Sequence, residues 1–190
     1  SVKYDVIVCP HCGYGALSRF FSYMTTHQAK LIHDNISVNF KGLAPTGDTY
    51  TYDDAITRYK LALLNTVVKK AKVSERAYTC LKLAWLYRGK AENLKPDEAD
   101  YAKKKEECAK AEKEMLANAY EGFMMSVSKE NFPICGMDET TLDYLMANLA
   151  KQIGRIDEAS RIVSRILVSK TANPKIKDKA RDLKESLKTK

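Results

Sequence analysis

Glycine and proline are scarce in this chain, at eight and five of 190 residues. These residues punctuate turns and stop helices, so their scarcity argues against a turn-rich all-β domain and for long helices. Long apolar runs are missing too. None approaches the ~20 residues of a membrane-spanning helix. The opening stretch Val2–Val8 carries Lys3 and Asp5 and is too short for a signal peptide, so the cytoplasm is the simplest location. Histidine is rarer still, with three residues, all within the first 33. No GxSxG, Walker loop, HExxH or glycine-rich dinucleotide turn is present. The carboxylate pairs Asp53-Asp54 and Asp157-Glu158 fall at expected helix starts, where negative charge complements the helix dipole. Capping explains them better than acid–base chemistry, and the chain reads as a non-enzyme.

What the chain does have is enough apolar material, 45% of 190 residues, for one domain with a real core. The net charge is +8, and the segment from Lys170 to Lys190, with eight basic and three acidic residues, supplies +5 of it. Such a tail could touch nucleic acid or anionic lipid. A solvated terminal helix explains it better, because no basic-plus-aromatic stripe accompanies it. Neither nucleic acid nor membrane is an expected partner. The five cysteines, Cys9, Cys12, Cys80, Cys108 and Cys135, are odd in number. On a helix-rich chain that argues for reduced thiols rather than a secreted disulfide framework.

The most specific chemistry lies near the start. Tyr4-Asp5-Val6-Ile7-Val8 reads as a short strand. It runs into Cys9-Pro10-His11-Cys12-Gly13-Tyr14. Two cysteines three apart on a tight turn can place both sulfurs on one metal. Pro10 stiffens the turn, and Gly13 permits the positive φ that aims backbone N–H groups at the thiolates. The pattern is a zinc-knuckle signature with Cys9 and Cys12 as ligands. A structural zinc needs four, however, and no second pair is visible. His11 would point away, and His27 and His33 are six apart. A rival reading exists. A Cys-Pro-His-Cys motif between a strand and a helix also serves thioredoxin-fold thiol-disulfide oxidoreductases, where the first thiol is activated at a helix N-terminus. That fold needs further strands, and none is legible after about residue 50.

The rest reads as helices. Ala16, Leu17, Phe20, Phe21 and Met24 suggest a helical face, with a second piece from Gln28 to Asn35. Residues 36–50 read as a loop. Thr51, with Asp54 three residues on, starts a helix carrying Ala55, Ile56, Tyr59, Ala62, Leu63, Thr66 and Val67 inward. Ser74 is read as capping a helix with Ala77, Cys80, Leu81 and Ala84 on its core side. Asp97 to Ser128 forms a long helix with Cys108, Ala111, Met115, Ala119 and Phe123 inward, and Met124 and Met125 read as packing residues. Asp138 caps a helix bearing Leu142, Leu145, Met146, Leu149 and Ile153. Gly154 stops it, and Ile156, Ala159, Ile162, Val163, Ile166 and Leu167 form the next apolar face. Asn173 and Pro174 open a last helix with Ile176, Ala180, Leu183 and Leu187.

The 138–169 hairpin resembles a tetratricopeptide unit, with Gly154 and Ala159 at the turn and Ala147 and Ala150 at small-residue positions. The segments YDVIVCPHCGYGALSRFF, YDDAITRYKLAL and TLDYLMANLAKQIGRIDEASR further resemble, in that order, blocks of the bacterial domain-of-unknown-function family 2225. The resemblance covers most of the chain. It implies a zinc-ribbon-like CPxC site followed by tetratricopeptide-like helices, and no known activity. The family's earlier CPxC pair has no counterpart here.

The expected architecture is therefore all-α, a tetratricopeptide-like stack of antiparallel hairpins with a short N-terminal strand and CPHC knuckle. Residues 1–14 would carry the knuckle and 15–190 the helices, pairing 15–35 with 52–72, 75–92 with 97–128 and 139–153 with 157–169. Stacked hairpins curve. In the tetratricopeptide register the groove-facing residues are Tyr78, Leu81, Trp85 and Arg88 from one hairpin and Tyr144, Asn148 and Lys151 from the next. Flat rings beside an Arg, an Asn and a Lys suit a peptide or protein partner.

Overall fold

The computed structural model describes residues 1–189. A short 3-10 turn, Val2–Tyr4, leads into β1 (Val6–Val8) and β2 (Gly15–Leu17). Seven helices follow: α1 (Thr26–Asn35), α2 (Tyr52–Val68), α3 (Val73–Asn93), α4 (Tyr101–Lys129), α5 (Glu139–Gln152), α6 (Ile156–Val168) and α7 (Pro174–Lys188). The described chain is all-α with a small N-terminal sheet. Lys190, the last residue of the basic tail, lies outside the described residues.

Local sequence accounts for most helix ends. Thr51 and Asp54 exchange side-chain and backbone bonds in a capping box, and Thr25 with Gln28 does the same for α1. The Asp138 carboxylate accepts from the Thr141 N–H, and Asn173 accepts from Ile176 N–H ahead of Pro174. Gly154 ends α5 at φ +85°, a left-handed conformation that a Cβ would strain.

The first expected hairpin is not there. Residues 15–17 form β2, antiparallel to β1, with Val6 opposite Leu17 and Val8 opposite Gly15. The helical spacing of Ala16, Leu17, Phe20 and Phe21 arose from a strand buried on both faces followed by turns. Ala16 packs toward α1, and Leu17 packs toward α2 and α3. A doubly buried strand reads as a continuous apolar run, which periodicity cannot tell from a helix. The boundary expected at residue 14 thus cuts a hairpin that belongs together. That hairpin, not a helix pair, lies against α2.

The other pairings hold. α3 runs against α4, α5 against α6, and α7 covers α5 and α6 as a terminal cap. One core joins α3 through α7 around Leu81, Tyr120, Phe123, Leu142 and Val163. A second joins the hairpin, α2 and α3 around Leu17, Ile56, Tyr59 and Leu86. Helix α3 feeds both, so it is the central element. Gly122 lets α4 approach it closely, since a Cβ there would stand 2.7 Å from the Ala77 Cβ. Ser74 does not cap α3. It lies inside the helix, and the Glu130 carboxylate from the far end of α4 accepts its N–H at 3.0 Å and its hydroxyl at 2.5 Å. Met124 and Met125 stand exposed rather than packed.

Candidate functional site

The Cys9–Tyr14 turn links β1 to β2. Cys9 N–H donates to Tyr14 O at 2.8 Å, and Gly13 N–H donates to Cys9 O at 3.1 Å. Gly13 has φ +75°, and a Cβ there would come within 2.7 Å of the Phe40 ring, so the turn requires glycine. Two further bonds pin it. Ser37 Oγ donates to Cys12 O at 2.8 Å, and Asn65 Nδ2 of α2 donates to Gly13 O at 3.1 Å. Backbone N–H groups of Cys12 and then His11, followed by the Cys12 thiol, hold the half-buried Cys9 thiol below its ordinary pKa. Burial pushes Cys12 up. The two sulfurs are thus neighbours in a donor-rich turn, as a thiolate metal site needs. Among the described residues no group of three or more metal-binding side chains assembles. A four-ligand site would need two donors beyond Cys9 and Cys12.

The thiol-redox reading expects a helix to begin at the first cysteine. Here the motif leads into β2, in a sheet of two strands.

Beneath the turn lies a buried polar group. Tyr14, Asn65, Lys69 and Glu75 are all buried. Lys69 Nζ stands 2.7 Å from Glu75 Oε1 and 5.3 Å from the centre of the Tyr14 ring. Burial first, and the Glu75 charge second, raise the Tyr14 phenol to about 12. Its hydroxyl donates to Phe21 O at 2.9 Å.

A groove of about 350 Å³ runs over α3 between α2 and α4. Leu63 and Val67 form one wall, Met125 the other, and Cys80 and Gly122 the floor. Arg76 stands at its rim, as does Glu121, which Arg155 engages at 2.5 Å. Val67 is 56% exposed and Met125 42%, and Leu64 beside them is 51% exposed. Burial raises the Cys80 thiol to about 11, so it sits there as a small apolar side chain.

The seven residues expected to line a groove do not meet on one open surface. Leu81 is fully buried. Tyr78 is half-buried with its ring edge-on to Phe123 at 6.4 Å. Trp85 stands at the outer edge of α3 in a shallow cleft with Tyr4, Asp5 and Lys82. Arg88 braces three helices, bonding Glu112 and Gln152 at 2.6 Å each. Tyr144 lies under the Lys179 ammonium of α7, and Lys151 bonds Ser186 of α7 at 2.9 Å. Asn148 donates to the Tyr144 carbonyl of its own helix. The terminal helix thus takes Tyr144 and Lys151, and the core side of α3 takes Leu81 and Tyr78. Sequence reading missed the wall residue Met125 as exposed, and it assigned Leu63 and Val67 to the core. The signal available was the exposed stripe Thr57, Lys60, Leu64, Val67, in which two of four residues are apolar.

This geometry defines a helical protein with a two-cysteine turn on a small β-hairpin and a surface groove between α2 and α4. Residues 1–187 match the family described as "Uncharacterized protein conserved in bacteria (DUF2225)", and the chain belongs to that family. No curated protein and no solved structure gave a match.

Proposed function

We propose that this protein is a non-enzymatic interaction scaffold. In this reading α2–α7 form a tetratricopeptide-like stack that seats a helical peptide in the α2–α4 groove, and the Cys9–Cys12 turn is half of a structural zinc knuckle. The observation that carries the reading is the pair of apolar walls, Leu63 with Val67 on one side and Met125 on the other, with Val67 and Met125 left open to solvent beside the floor of Cys80 and Gly122. Apolar side chains clustered along two helices flanking a third suit an amphipathic helix with anchors at i, i+3 or i+4, and i+7. Glu121 is engaged by Arg155, which leaves Arg76 as the rim charge facing the groove. The partner helix is therefore expected to carry an acidic residue at that rim.

The test is selection of binders from a library of amphipathic helical peptides. Selected sequences are expected to share the anchor spacing and to lose at least tenfold in affinity, about 1.4 kcal/mol, on Val67→Glu or Met125→Glu, with circular dichroism unchanged. Binders indifferent to both substitutions would refute the groove.

For the turn, Cys9 and Cys12 would hold a zinc ion, whose contribution there is a rigid cross-link. The described residues furnish half the ligand set, so zinc is expected to bind them far more weakly than the ~10–16 kcal/mol of a complete structural site. Adding a peptide with a second Cys-X-X-Cys pair is expected to tighten binding, and Cys9→Ser is expected to abolish that gain. Competition against a chromophoric chelator measures both. Tight 1:1 binding that survives Cys9→Ser would sink the knuckle.

A further inference from the structure

A second and larger cavity, about 620 Å³, shares no lining residue with the α2–α4 groove. Three segments enclose it: the turn after β2 from Arg19, the start of α3 at Ser74 and Glu75, and the α4–α5 loop from Glu130 to Gly136. The volume lies within the ~300–1,000 Å³ of small-molecule sites.

Its chemistry is uneven from floor to rim. Glu75 and Ser74 are buried, whereas Arg19, Lys72 and Tyr23 are exposed. Glu75 Oε1 stands 2.7 Å from Lys69 Nζ, yet neither atom makes an aligned hydrogen bond among the described residues. Oε1 is sealed from solvent against Lys69, which does not line the cavity, whereas no group among the described residues donates to Oε2, so that oxygen is the acceptor left for a ligand. Glu130, with both oxygens on Ser74, adds a second carboxylate to the same side. At the rim the chemistry reverses. The Arg19 guanidinium has an uncharged protein partner, the Cys135 carbonyl, and Lys72 stands near it. Phe20 and Tyr23 supply flat apolar walls at the mouth.

We propose that this cavity binds a small zwitterion, its primary ammonium against Glu75 and Glu130 and its carboxylate against Arg19 and Lys72. A free α-amino acid and a short peptide share that chemistry. The aromatic walls favour an apolar side chain branching from the carbon that bears the ammonium. A purely anionic ligand would meet the two carboxylates, and a purely cationic one would leave the rim cations unanswered.

Calorimetric titration of the whole chain at neutral pH tests this with two probes, L-phenylalanine and L-phenylalanyl-L-alanine. At least one is expected to bind at 1:1, and which one does identifies the source. N-acetylation of the binding probe is expected to weaken it at least tenfold by removing the ammonium, and Arg19→Ala to weaken the free acid but not its C-terminal amide. Glu75→Gln is expected to weaken binding similarly. Because that change leaves Lys69 buried without its charge partner, the paired variant Lys69→Met/Glu75→Leu provides a folded control that also loses binding. Three results would overturn the proposal: no binding of either probe up to about 10 mM, binding indifferent to N-acetylation, or full affinity retained by the folded paired variant.

Discussion

Lys69→Met alone is expected to destabilise the protein by about 3–5 kcal/mol, whereas Lys69→Met combined with Glu75→Leu is expected to recover most of that loss. The asymmetry follows from where the pair lies. The Lys69 side chain is 1% exposed and that of Glu75 10%, with their charged atoms 2.7 Å apart. Desolvating two ions costs several kcal/mol each, and their attraction roughly offsets it. Removing the ammonium leaves a buried carboxylate beside the Tyr14 phenol, whose hydroxyl is already donated to Phe21 O and which cannot neutralise it. Removing both charges takes away the penalty along with the attraction. Urea unfolding followed by far-UV circular dichroism measures Lys69→Met, Glu75→Leu and the double variant. A double variant as unstable as the sum of the singles would show that the pair is a net source of stability and that this account of it is wrong.

Leu81→Ala is expected to cost about 2–5 kcal/mol, and Trp85→Ala, four residues along the same helix, less than about 1 kcal/mol. Leu81 is 0% exposed, on the core face of α3 with Ala77 and Ala84, where α4 and α5 close over it. Truncation removes three carbons from a close-packed site and leaves a cavity that the helices cannot collapse onto. Trp85 stands at the outer edge at 38% exposed, against Tyr4 and Lys82. The larger side chain therefore matters less than the smaller. Thermal melts rank the two, and equal losses would mean that α3 presents a different face to the core.

That contrast marks what the sequence could and could not disclose. Every helix from α2 to α7 was legible, because each carries a 3.6-residue apolar period and three of the six carry a side-chain cap, Thr51, Asp138 and Asn173. The pairing of α3 with α4 and of α5 with α6 followed from short connections. The β-hairpin was illegible, because three residues of a strand buried on both faces have no alternation to betray them. Placing groove residues failed for a different reason. The assumed register opens the first helix of each pair to one concave side, but α3 is enclosed by α2, α4 and the N-terminal turn, and α7 closes over Tyr144 and Lys151. Which face of a helix meets solvent depends on its neighbours, and a helix with apolar residues on most sides does not announce the exposed one. The knuckle was legible as chemistry, since Cys9, Cys12 and Gly13 specify the turn by type and spacing. The Lys69–Glu75 pair was not, since nothing in LNTVVKKAKVSER distinguishes the one buried lysine from its two solvated neighbours, Lys70 and Lys72.

The bonds from Asn65 and Ser37 to the carbonyls of Gly13 and Cys12 have one more implication. They tether the claw of two sulfurs to the body of the protein without help from any ion. In small metallodomains the cation is the keystone, and a chelator collapses the arch. Here the arch already stands on amide and hydroxyl struts. Stripping metal from Cys9 and Cys12 would therefore alter what the claw can grip while leaving the building upright.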